Sequence, residues 1–260
     1  MKRAPDILFP LALAILVLGG WEWAIGHWQV PHYILPSPSA IARALADNAG
    51  SLMEAWGSTF WVTAQAFIAA TVLGVLIAIG FSQSRMLERT LYPYAVVLQV
   101  TTVVAIAPLI LIWVGFERIN LALVTIATIV AFFPILAGAT LGLKSADFHL
   151  LDLARLYGAS RAQILWRIRL PTALPYLLSG MKTAGGLALI GAVVAEFVAG
   201  SGTATGLAWR IVESGNRLEI ATLFAALALL ALTGVLIFAG LSLLEWLLLR
   251  RWHESAINRL

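Results

Sequence analysis

The sequence predicts an all-α membrane protein of six transmembrane helices, and three observations carry that prediction. Of 260 residues, 61% are hydrophobic and only 12% charged, about half the charged share of a soluble domain. So few ionic groups cannot cover a water-facing surface, which leaves the bilayer as the solvent. The second observation is length: six apolar runs, at about 7–25, 59–81, 92–116, 121–143, 174–199 and 220–249, each suffice to cross a hydrocarbon core of about 30 Å. The third is that basic residues gather at the edges of these runs. The net charge of +4 and the pI near 9.8 therefore read as membrane topology, and no nucleic-acid partner is expected.

The runs must be helices, because lipid offers a backbone donor no partner outside its own segment. The first run follows Met1-Lys2-Arg3 and lacks a small-x-small cleavage site, so it is expected to be a retained anchor rather than a signal peptide. Between it and the second run, Pro31, Pro36 and Pro38 precede a short amphipathic segment for which Ser39 is a plausible N-cap. Pro108 in the third run and Pro134 in the fourth are expected to kink their helices. With the N-terminus inside, twelve Lys and Arg fall on the cytoplasmic side and four outside, with Lys182 within a span. That bias places both termini in the cytoplasm of a multi-pass inner-membrane protein. The whole chain, 1–260, is expected to form one transmembrane domain, with core spans at about 59–249.

Charges inside spans are costly and mark function by default. Glu196 and Lys182 both lie in the fifth run, fourteen residues apart, about 21 Å along a helix, so they are not expected to pair. Glu196 either lines a pathway or bonds a neighbouring helix; Lys182 either attracts an anion or snorkels to the interface. Glu22 and Glu245 lie near span ends and read as interfacial. In the third run Gln99, Thr101 and Thr102 interrupt an apolar stretch just before Pro108, and either line a pathway or hydrogen-bond between helices. Trp21, Trp23, Trp28, Trp56, Trp113 and Trp246 sit near span ends as lipid-interface anchors. There is no cysteine, and the four histidines have no metal-ligand spacing, so no metal site is expected.

The connection at about 144–172 carries the most information. Its first half, 147–157, sets Phe148, Leu151, Leu153, Leu156 and Tyr157 at helical spacing between charges. Gly158 supplies a residue free to take positive φ and end that helix. Ser160 can cap a second short helix bearing Ile164, Leu165 and Ile168, which Leu170-Pro171 is expected to close. A helix–Gly–helix element of this kind either lies on the membrane surface, with Arg155, Arg161, Arg167 and Arg169 against lipid headgroups, or inserts into a groove on another protein.

Asp152-x-Ala154-x-x-x-Gly158, nine residues, then Ile168-x-Leu170-Pro171, resembles the E-A-A-x3-G-x9-I-x-L-P loop of ABC importer permeases. Asp152 stands for the usual Glu and Leu153 for the first Ala; the acidic charge is kept. The segments LPSPSAI, AIAPLILIWVGF, FFPI and GAVVAEF are similar to permeases of the nitrate, sulfonate, taurine and thiamine-pyrimidine-precursor branch. The resemblance implies a type I (MetI-like) permease fold and a homodimer of permeases. It also implies two cytoplasmic ATPase subunits holding ATP and Mg, and a periplasmic or lipid-anchored binding protein. It makes Asp152, Ala154, Gly158, Ile168, Leu170 and Pro171 the residues that couple to the ATPase.

No G-x-x-x-x-G-K-[ST] sequence is present, so no nucleotide cofactor is expected in this chain and its work is mechanical rather than enzymatic. An ion-coupled secondary transporter would show more spans and paired repeats. An intramembrane enzyme would gather several titratable side chains at one depth. The outside segments balance four basic residues against five acidic ones, which favours a neutral or heterocyclic solute over nitrate or a sulfonate.

Overall fold

A computed structural model of the chain describes residues 3–200 and 205–250. Among these residues the fold is all-helical: α1 Arg3–Trp28, α2 Pro38–Asp47, α3 Ala49–Gln83, α4 Arg85–Val100, α5 Val103–Val114, α6 Ile119–Lys144, α7 Phe148–Leu156, α8 Arg161–Ile164, α9 Leu170–Ala199, α10 Leu207–Asn216 and α11 Ile220–Leu249. Four described helices are long and apolar enough to cross a membrane, or five if the bent pair α4–α5 is one span. Two of the four are α3 and α11; the others are α6 and the continuous helix Arg161–Ala199. The first predicted span lies in the 26-residue α1.

The third predicted span is not one helix. Its two halves meet at 103°, and the bend lies at Thr101 and Thr102 rather than at Pro108. Both threonines have extended backbones, with ψ of 126° and 109°. The Thr101 amide and hydroxyl donate to the Val97 carbonyl at 3.0 and 2.8 Å, so the end of α4 is satisfied without continuing the helix. Pro108 sits inside α5 and Pro134 inside α6. The cap of α2 also differs from expectation: Ser37 accepts from the Ala40 amide, and Pro38 occupies the first turn, where its missing N–H costs nothing.

The chain forms two compact units. One comprises 1–58 and 205–231. Its core sets Leu52 and Ala55 against Leu207, Ala225, Ala226 and Leu229, with Ile41 and Leu45 of α2 packed on it. Glu22, read from sequence as interfacial, fixes α2 to α1. It accepts from the Ser39 amide at 3.0 Å and the Ser39 hydroxyl at 2.7 Å.

The other unit comprises 59–204 and 232–260, and is built on the packing of α6 against α9. Small residues bring these backbones together. A Cβ on Gly180 would lie 2.6 Å from the Pro134 carbonyl oxygen, and one on Gly138 2.8 Å from that of Tyr176. Ile126, Ala127, Ala131 and Ile135 of α6 and Ala184, Ala188, Ala192 and Ala195 of α9 are fully or almost fully buried.

Candidate functional site

The connection between α6 and α9 folds as two capped helices, and each cap is a local event in the sequence. Asp147 caps α7 by accepting from the His149 amide at 2.8 Å. The other end closes at Gly158, whose φ is +75°, a conformation that costs an L-residue with a side chain about 1 kcal/mol or more. The Gly158 amide donates to Arg155 and the Ala159 amide to Ala154, at 2.9 and 3.0 Å. This paired closure is a Schellman motif, and its usual apolar contact is present: Ala154 and Ala159 both pack on Ala146, Leu151 and Ile164. Asp152, half-buried, pairs with Arg155 at 2.8 Å. Ser160 and Gln163 then form a capping box that starts α8.

The expected stop at Leu170-Pro171 does not occur. The helix runs on from Arg161 to Ala199, 39 residues, through one π-helical turn at Leu165–Arg169. The Leu170 amide bonds the Leu165 carbonyl, five residues back. Widening the turn relieves the clash that the Pro171 ring would make with a carbonyl four residues back. Pro171 then sits in the first turn of α9, with Ile168 and Leu170 half-buried. Leu170 packs with Phe81, Leu143, Leu165 and Ala173.

Of the apolar residues spaced along α7, only Leu151 turns inward. Phe148, Leu156 and Tyr157 are 66%, 84% and 84% exposed. Large apolar side chains left open at both ends of a short amphipathic helix mark a contact surface. Arg169, noted in the sequence only as a basic residue, donates from Nη1 to the Ser82 carbonyl at 2.8 Å and so ties the π turn to the end of α3. Its partner is a backbone oxygen 87 residues away, which no local pattern reveals.

The remaining candidates are spread over the helices. Gln99 and Thr102 are exposed and Thr101 half-buried, at the α4–α5 break. Glu196 is buried and accepts from the Thr59 hydroxyl at 2.8 Å, which bridges α9 to α3. Lys182 does not stand open: it is ion-paired with Glu245 of α11 and lies 5.7 Å from the Phe238 ring centre. Glu245, expected at the interface, is that partner. Lys182→Met is expected to destabilise the chain by about 2 kcal/mol, because it leaves the Glu245 carboxylate unpaired in a poorly hydrated site. Lys182→Met with Glu245→Leu is expected to recover most of that loss. Thermal unfolding of the three proteins in detergent measures the difference.

Residues 70–252 match the family described as binding-protein-dependent transport system inner membrane component. The chain belongs to this family. A probable ABC transporter permease protein of Haemophilus influenzae is 31% identical, covering 94% of this chain and 96% of that protein. The formylaminopyrimidine transport permease protein ThiX of Halalkalibacterium halodurans is 31% identical over 98% of this chain and its own full length. The riboflavin transport system permease protein RibX of Chloroflexus aurantiacus is 33% identical over 96% and 92%. A solved amino acid ABC transporter structure aligns with TM-score 0.63 at 16% identity, over 80% of this chain and 96% of that one, and so shares the fold. The chain is the membrane-spanning permease subunit of an ABC importer.

Proposed function

We propose that α7, Gly158 and α8 are the coupling element through which this permease takes up the motion of separate ATPase subunits. The observation that carries the reading is mechanical. The exposed tip of α7 is joined by a hydrogen-bonded turn, 157–160, closed at Gly158, to a helix that runs on from Arg161 to the far end of α9. A push on Leu156 and Tyr157 therefore reaches the packed α6–α9 pair as a rigid displacement rather than being lost in a flexible loop. Asp152 and Arg155 hold the helix surface in shape, Ala154 and Gly158 set its end, and Ile168, Leu170 and Pro171 anchor the continuation. In this reading the loop and both termini face the cytoplasm, and two copies of the chain form the translocation unit. ATP and Mg bind the partner ATPases, while this chain contributes no hydrolytic centre.

A binding protein on the other side delivers the solute, for which a small nitrogen heterocycle is the best fit. ThiX and RibX are named for the transport of formylaminopyrimidine and riboflavin, and two permeases named for sulfonates or taurine are 28% identical. The chain's own charges agree: Glu213 is shared between Arg210 and Arg217 at 2.9 and 2.8 Å, which leaves no open pair of guanidiniums there for an anion. Uptake of labelled pyrimidine, flavin, taurine and nitrate by cells with and without this gene tests the assignment. Loss of heterocycle uptake alone is expected; loss of taurine or nitrate uptake alone overturns it.

A further inference from the structure

Two clefts adjoin the coupling loop, of about 640 and about 390 Å3, and share Ser82 and Arg169. The larger is lined by four cations, Arg85, Arg89, Lys144 and Arg169, and one carboxylate, Glu88. Lys144 takes that carboxylate. Among the described residues no other carboxylate lies within ion-pair distance of Arg85, Arg89 or Arg169, and the Arg169 Nε is buried without a hydrogen-bond partner. Three guanidiniums thus line one cavity in which the described residues supply no carboxylate beyond the one that Lys144 takes, at the ends of two apolar spans. Arg85 and Arg89 are exposed and Arg169 is part-buried; an excess of cations in one cleft attracts a counter-ion, and guanidiniums match phosphate oxygens in bidentate geometry.

The shape of α4 indicates which phosphate. Arg85, Arg89, Tyr92, Val96 and Val100 follow at steps of four, three, four and four residues, and so form one stripe along the helix. The cationic end and Tyr92 line the cleft, while Val96 and Val100 are 36% and 76% exposed. From Arg89 to Val100 is about 16 Å of helix, about half a hydrocarbon core. A ligand with a phosphate at one end and a hydrocarbon chain at the other uses the whole stripe; free phosphate or a nucleotide uses only its first part. We propose that this cleft binds the headgroup of an anionic phospholipid, with the acyl chains along Tyr92, Val96 and Val100. Because Arg169 lies in the π turn between α8 and α9, the bound headgroup touches the coupling loop directly.

Native mass spectrometry of the full-length chain, with phosphatidylglycerol or phosphatidylcholine added, reads out the site. Retention of phosphatidylglycerol is expected to exceed that of phosphatidylcholine roughly tenfold, and to fall about as much in Arg85→Gln/Arg89→Gln. Glu88→Gln removes the one carboxylate among the described residues that line the cleft and frees Lys144, so it should raise retention; misfolding cannot mimic an effect of that sign. Millimolar inorganic phosphate should leave the lipid in place. Equal retention of both lipids, or indifference to both the arginine and the Glu88 substitutions, overturns the proposal. Displacement of the lipid by phosphate overturns it in favour of a soluble anion.

Discussion

Gly158→Asp is expected to reduce uptake by roughly two orders of magnitude while the chain still reaches the membrane in normal amount. The backbone is not the reason. A side chain at Gly158 meets nothing within 4 Å, and Asp and Asn tolerate positive φ better than other residues. What the substitution adds is a charge at the exposed C-terminal end of α7, beside Leu156 and Tyr157, where the helix dipole already disfavours it. A carboxylate buried without a partner in a docked interface costs about 2–4 kcal/mol, which is roughly 30- to 1,000-fold. Gly158→Asn has the same shape without the charge and is expected to keep most of the activity. Uptake and membrane abundance measured for both variants check this; equal loss in the two would assign the effect to backbone strain.

Gly180→Val is expected to act on the fold rather than on coupling, and strongly. Its Cβ would sit 2.6 Å from the Pro134 carbonyl oxygen, a backbone atom that cannot rotate away. Relief requires α6 and α9 to separate along the contact that organises the unit, at a cost of about 3 kcal/mol or more. Gly186 lies on the same helix, and a Cβ added there would meet nothing within 4 Å. Gly186→Ala should therefore be neutral, or stabilising by about 0.5–1 kcal/mol through helix propensity. Thermal melting of the two variants in the same detergent separates close packing from a general intolerance of side chains in α9.

Much of the connection between α6 and α9 could be read before any coordinates, because capping is local. Asp147, Gly158, Ser160 and Gln163 make their bonds within a few residues of one another, and each type is selected for that geometry. The features that escaped are set by distant neighbours. The break at Thr101–Thr102 follows from where α5 packs: Ala107, Ile110 and Leu111 bury against Ala122, Leu123 and Ile126 of α6, and a proline six residues away gave no measure of that. The continuity of α8 with α9 needed a π turn, for which the sequence shows only a proline that ordinarily ends a helix. Lys182 and Glu245 are 63 residues apart, so each looked like an isolated charge. Ser37 and Ser39 flank Pro38 and are both competent caps; Glu22 decided between them by claiming Ser39.

The chain contains no cysteine, so one introduced at Tyr157 is a unique label at the exposed end of α7. If α7 is the coupling helix, a membrane-impermeant maleimide should modify Tyr157→Cys only from the cytoplasmic face. Addition of the partner ATPase subunits should then protect it almost completely. Modification from the outside of intact cells, or labelling at the same rate with and without the ATPase, would contradict the assignment.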